Sequence, residues 1–159
     1  MTVRVQRDDF DAGAEIAALT RGNTQIGAVT SFVGLVRDMH GAAGSGAMTL
    51  EHYPGMTEKM LAAIDDEANA RWPLEASLIV HRYGRLTPGD RIVLVVVASP
   101  HRAAAFDACH FLIDWLKTRA PFWKLEETGT GEARWVEALE SDDVAAERWA
   151  AKSRKGAAE

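Results

Sequence analysis

The chain has 159 residues, 47% of them hydrophobic and 26% charged, which fits one compact domain and excludes disordered, collagen-like and coiled-coil readings. Eighteen Lys+Arg against 23 Asp+Glu leave a net charge of −5, which argues against general nucleic-acid binding, where a basic footprint is expected. The longest purely apolar run, Ile92 to Ala98, falls far short of the ~20 residues that span a bilayer. Met1-Thr2-Val3-Arg4 leads straight into polar sequence with no apolar export region, and a single cysteine, Cys109, allows neither an internal disulfide nor a thiolate zinc site. A cytoplasmic protein is expected.

In chain order, Val3 to Val5 reads as a short strand, and Ala14 to Leu19 as a short helix with Ile16 and Leu19 inward. Ile26 to Gly34 reads as a strand in which Gly27 and Gly34 permit close backbone approach. The glycine-rich stretch Arg37 to Gly46 is expected to be a mobile loop. Met48 to Tyr53 is a second strand closed by Pro54-Gly55. Thr57 is placed to cap a helix that runs to about Arg71, with Met60, Leu61, Ile64 and Ala68 on one face and Trp72-Pro73 ending it. Ser77 to Tyr83 is a third strand, and Leu86 to Asp90 carries Pro then Gly as a type II turn requires. Ile92 to Ala98 reads as a central strand, apolar on both faces. Ser99-Pro100 supplies an N-cap and an N1 proline for a helix to about Arg119, stopped by Pro121. Phe122 to Glu127 and Arg134 to Glu137 read as strands about Thr128 to Gly131, and Asp142 to Trp149 as a terminal helix. The pattern predicts a single α+β domain over 1–150 with a mixed sheet and flanking helices, and a solvated tail over 151–159.

Lys117-Thr118-Arg119-Ala120-Pro121-Phe122-Trp123-Lys124 gathers three positive charges and no acid among aromatics. Such a cluster inside an acidic protein suits a small anionic ligand better than a polyanion. Crowded cations ready a lysine for acid–base or nucleophilic work. His101 and Arg102 add donors to the exposed N–H groups of a helix start, an anion-binding combination. Arg37, beside the glycine-rich loop, is suited to clamping a phosphate. Each of these residues also has a plain reading as a solvated charge. Cys109 shares the helical stripe Ala105, Cys109, Leu112 and Leu116, which favours a buried small hydrophobe over a persulfide carrier. His52, His81 and His110 lack metal-ligand spacing, so no metal is expected.

The runs Leu50 to Lys59, Ser99 to Arg102 and Lys117 to Lys124, with Phe32 to Arg37 and Arg134-Trp135-Val136, closely resemble the large, catalytic subunit of molybdopterin synthase. The likeness extends in order over residues 25–149. It implies an α/β hammerhead fold and a homodimer of large subunits within a heterotetramer. It also implies a small ubiquitin-like sulfur-carrier subunit whose C-terminal Gly-Gly bears a thiocarboxylate. The implied reaction is that of a sulfurtransferase in molybdenum cofactor biosynthesis: two sulfurs are placed on cyclic pyranopterin monophosphate to form the dithiolene, without a resident cofactor. By motif match, Lys117 and Lys124 are the catalytic lysines. Arg37, His101 and Arg102 hold the phosphate and pterin, and backbone around Leu35, Val36, Leu125 and Glu126 lines the pocket. Leu35, Leu125 and Leu139 depart from the family pattern, standing where relatives often have basic residues.

His101 and Lys117 lie 16 positions apart on one expected helix, about 24 Å at 1.5 Å per residue. One straight helix cannot bring both to a small ligand, so a pocket shared between two protomers is expected. The residues alone also allow a non-catalytic module that docks a ubiquitin-like partner or a phosphorylated pterin, and a cysteine-dependent sulfurtransferase remains a further reading.

Overall fold

Strand β6, Arg91–Ser99, organises the fold. Val95 and Val97 point to one face of its sheet, Leu94 and Val96 to the other, and all four are fully buried. That is the physical content of an uninterrupted apolar run: both faces are covered, and each such side chain contributes roughly 1.5–3 kcal/mol of burial. The computed structural model describes residues 2–38, 46–127, 133–136 and 140–152.

The first sheet has the order β1-β4-β6-β2, built from β1 (Thr2–Gln6), β4 (Ala76–Arg82), β6 and β2 (Ala28–Leu35). Strand β1 runs parallel to β4, whereas β4 and β2 are antiparallel to β6, so the sheet is mixed as expected. Helix α2 (Met56–Arg71) and helix α3 (Arg102–Arg119) cover the Val95 face through Leu61, Ile64, Ala68, Ala108, Phe111 and Leu112. Helix α1 (Ala12–Thr20) covers the Leu94 face with Ile16 and Leu19, capped by Asp11, whose carboxylate accepts from Ala14 N at 3.0 Å. The second sheet has the order β5-β3-β7-β8, from β5 (Gly84–Leu86), β3 (Met48–His52), β7 (Phe122–Glu127) and β8 (Ala133–Val136), all antiparallel. A small cluster of Val36, Met48, Leu50 and Leu86, with Ile92 against it, fills the space beside this sheet.

Helix α4 (Glu140–Lys152) extends beyond the expected Asp142 to Trp149 at both ends. It is fastened to α3 by the buried Trp149, whose Nε1 donates to Asp114 Oδ2 at 2.6 Å. Residues 153–159 lie outside the described residues, as does most of the 37–46 loop.

Three local expectations are corrected. Thr57 is not the cap of α2: Gly55 holds that place at φ +81°, its N–H bound to Glu58 Oε2 at 2.7 Å, and Thr57 is buried, its hydroxyl accepting from Tyr53 N. Ser99 and Pro100 are not the first residues of α3. Ser99 ends β6 and its hydroxyl accepts from His101 N at 3.1 Å, while His101 is the capping position and Arg102 the first helical residue. The helix begins two residues late because Ser99 stays in register with Ala28. Strand β5 was missed because three residues show no periodicity. The expected turn is present, with Gly89 at φ +92° and Asp90 N bonded to Thr87 O. At Gly27 a Cβ would sit 2.3 Å from Pro100 O, which only glycine avoids.

Candidate active site

Pro121 ends α3, and the chain turns at once into β7, so Lys117 in the last helical turn and Lys124 in the strand converge on one cleft. The cleft lies between β2, the C-terminal end of α3 and the second sheet. It comprises two adjoining cavities of about 460 and 430 Å³ that share Leu35, Met48, Ile92, Lys117 and Lys124. These volumes suit a small molecule.

The outer cavity is the charged one, lined also by Val36, Arg37, Glu126 and Glu127. Val36 is pinned by two backbone bonds, its N–H to Asp90 O and its carbonyl from Gly89 N, both 2.8 Å, which fixes the chain just before Arg37. Lys124 and Glu126 share one face of β7 by the strand's two-residue period, and Lys124 Nζ meets Glu126 Oε1 at 2.8 Å. Glu126 is buried, so the ion pair holds the ammonium at the cavity wall.

The inner cavity is mostly apolar, walled by Phe32, Val33, Val93, Ile113, Leu116 and Phe122 among others. Its polar side chains are Lys117, Lys124 and His81. His81 stacks on Phe122 with centroids 3.8 Å apart and planes 18° from parallel, and its Nδ1 lies 2.8 Å from Arg82 O. Burial pushes its ring down to about 4, and neighbouring His52 acts in the same direction. The ring is therefore neutral near pH 7.

Of the residues singled out from the sequence, Lys117, Lys124, Arg37, Leu35, Val36 and Glu126 come together at the cleft. The Leu125 side chain faces away from it, because strand alternation turns it to the opposite face from Lys124, so any part Leu125 has in the site is through its backbone, as the motif match implies. Arg119, counted among the clustered cations, is turned elsewhere: its guanidinium lies over Trp115 at 3.7 Å and pairs with Glu67 at 3.1 Å. His101 and Arg102 are exposed at the far end of the continuous helix α3 and line neither cavity. Leu139 lies outside the described residues. Cys109 is buried in the main core with its thiol pushed up to about 11, which makes it a poor nucleophile. His81 escaped sequence reasoning as a site residue because only its metal spacing was considered. Its signal was positional, on the face of β4 shared with Ile79.

Fold and cleft together define a mixed α/β protein with a cationic cleft of small-molecule size. A family model described as MoaE protein matches residues 5–119. The chain is 59% identical over 93% of its length to the molybdopterin synthase catalytic subunit of Ralstonia nicotianae, covering 84% of that protein. It is 58% identical to that of Pseudomonas aeruginosa, covering 94% of this chain and 99% of that one. Among solved structures, molybdopterin cofactor biosynthesis protein E from Burkholderia multivorans superposes with a TM-score of 0.80 at 54% identity, covering 94% of this chain and 96% of that one. Molybdopterin synthase from Staphylococcus aureus superposes with a TM-score of 0.76 at 33% identity, covering 84% and 96%. The chain belongs to the MoaE family, and as a member it is an enzyme of molybdenum cofactor biosynthesis. Among the described residues no helix is long and apolar enough to cross a membrane.

Proposed function

We propose that the chain is a sulfurtransferase. It takes one sulfur from the C-terminal thiocarboxylate of each of two successive small ubiquitin-like partner molecules, which leave as carboxylates, and so places two sulfurs on cyclic pyranopterin monophosphate. The observation that carries this reading is the convergence of Lys117 and Lys124, from two different elements, on one cleft with Arg37 at its outer end. Both reactants are anions, so bringing them together calls for several cations. Arg37 takes the phosphate bidentately, and the two ammonium groups between the cavities sit where the thiocarboxylate and the acceptor carbon meet. A lysine there protonates the leaving oxygen or assists the acyl–sulfur step. No cysteine of this chain is required, since the sulfur arrives on the partner. The cytoplasm, a reducing compartment, suits both a thiocarboxylate and the free thiol of Cys109.

His101 and Arg102 enter the same reading from a second copy. Strand β2 is an edge strand of the first sheet with Val29, Phe32, Val33 and Leu35 exposed, a surface that natural proteins normally cover. Antiparallel pairing of two β2 strands about a two-fold axis sets the two α3 helices antiparallel. The partner's α3 N-terminus is then brought toward Lys117 of this chain. Exposed Phe106 on α3 lies on the same side as this edge in the stripe Ala103, Phe106, His110, Ile113 and Lys117, and supports a two-helix contact.

The direct test is Lys117→Ala, which should abolish dithiolene formation from thiocarboxylated partner and cyclic pyranopterin monophosphate while fold and complex persist. Normal turnover in that variant removes the catalytic assignment. Mixing Lys117→Ala chains with His101→Ala chains should restore part of the activity. Mixed dimers as inactive as their parents mean that the pocket is not shared.

A further inference from the structure

The inner cavity has an unequal hydrogen-bonding inventory. Among its side chains, Lys117 and Lys124 can only donate, and the others apart from one are apolar. The exception is His81. The short contact between Nδ1 and Arg82 O requires that Nδ1 carry the proton and donate to the carbonyl, which leaves Nε2 with its lone pair. Nε2 has no hydrogen-bond partner among the described residues, and it is not among the side-chain polar atoms sealed from solvent. The ring cannot swing away, since Phe122 stacks flat against it and Phe122 is paired to His52 in the neighbouring strand β3. A fixed, neutral acceptor in the wall of a site otherwise lined by cations has an evident use in recognising a donor on the uncharged part of a ligand.

We propose that His81 is a substrate-orienting residue whose Nε2 accepts a hydrogen bond from a ring N–H of the pterin, so that the heterocycle occupies the inner cavity and the phosphate the outer one. The assignment rests on the sulfur-transfer reading above and deepens it. It polarises the substrate along the cleft: phosphate toward Arg37, neutral ring toward His81, and the two lysines alongside the carbons that receive sulfur. It also gives the site discrimination. A buried acceptor left without a donor is costly, so a flat apolar ring of the same size is rejected, and a ligand with an acceptor in place of that N–H would set two lone pairs against each other.

His81→Phe tests this, because it keeps a flat ring against Phe122 and removes the acceptor. His81→Gln keeps an acceptor near the position of Nε2. With the intact complex, the KM for cyclic pyranopterin monophosphate is expected to rise roughly 10- to 100-fold in His81→Phe while kcat changes less than about threefold, as expected for loss of a contact made equally in ground and transition states. His81→Gln should recover most of that loss. Affinity for the small partner should be unchanged in both. An unaltered KM in a folded His81→Phe protein overturns the proposal. So does weakened partner binding with normal pterin binding, which would give Nε2 to the partner's glycine tail instead. The underlying sulfur-transfer reading fails separately, if the wild-type complex forms no dithiolene.

Discussion

Removing the Asp114 carboxylate should loosen α4 from α3 by an amount that the geometry sets. Asp114 is buried and its Oδ2 receives Trp149 Nε1 at 2.6 Å together with Arg148 Nε at 3.2 Å and Nη2 at 2.6 Å. In Asp114→Ala the indole N–H, on a side chain only 2% exposed, loses this acceptor, which costs about 1–3 kcal/mol. The arginine is 44% exposed, so water takes over much of its role and the pair contributes about 0.5–1 kcal/mol. The total, about 1.5–4 kcal/mol, corresponds to a fall in melting temperature of roughly 3–16 °C for a domain of this size. Calorimetry at fixed protein concentration reads the shift, and amide exchange at 143–149 should show α4 losing protection before the rest. Asp114→Asn, which keeps an acceptor for the indole, should cost less than Asp114→Ala. A melting temperature within about 2 °C of wild type, or unchanged protection of α4, refutes the account of how this helix is held. Because Asp114 lies one turn before Lys117, the same variant reports whether the end of α3 depends on its backing helix.

Glu126→Gln removes the charge facing Lys124 Nζ and should lower kcat about 3- to 10-fold with little change in the KM for the pterin, while the melting temperature stays within a few degrees. An unchanged kcat means that the ion pair does not hold the lysine in place. Cys109→Ser should retain near-normal sulfur transfer, and in the wild type the thiol should react with alkylating reagents only on unfolding, since burial pushes it up to about 11. Loss of activity in a folded Cys109→Ser protein favours a cysteine-dependent route. Asp9 is held at about 2, below its ordinary 3.8, chiefly by its hydrogen bond to Arg91. A lowered folded-state value means that its contribution is present above pH 3.8 and is lost as the pH falls toward 2. Asp9→Asn should therefore flatten the pH dependence of the melting temperature between pH 4 and pH 2, with only a small loss at pH 7 because the pair is exposed. An unchanged acid profile assigns that dependence to other carboxylates.

Most elements were legible because their signals are local. The apolar run at Ile92 to Ala98 required a strand covered on both faces, and the helical stripe through Cys109 required a buried thiol, as found. Trp72-Pro73 and Pro121 stopped two helices where proline geometry says they must. Errors fell where competing local signals were settled by neighbours. Ser99 has the chemistry of a helix cap, yet pairing with Ala28 keeps it in β6. Thr57 has the same chemistry, yet it is buried within the first turn of α2 and bonded to Tyr53. The ordered motifs made the family readable without coordinates.

By itself, then, the sequence determined the family and the charge pattern: an acidic chain with a few cations concentrated near the end of one helix, and a single cysteine on a buried stripe. Which of those cations share a site is a matter of three-dimensional placement. Arg119 is close in sequence to Lys117 and Lys124 but is bound to Glu67 and Trp115, whereas Arg37, about 80 residues from Lys117, reaches the same cleft. His81 carries no motif at all, and only the stacking of β4 against β7 gives it a fixed ring in the wall of the cavity. The physical reason is that charge and hydrophobic period are properties of residues and their near neighbours. A pocket is made by side chains from elements that meet only when the core closes.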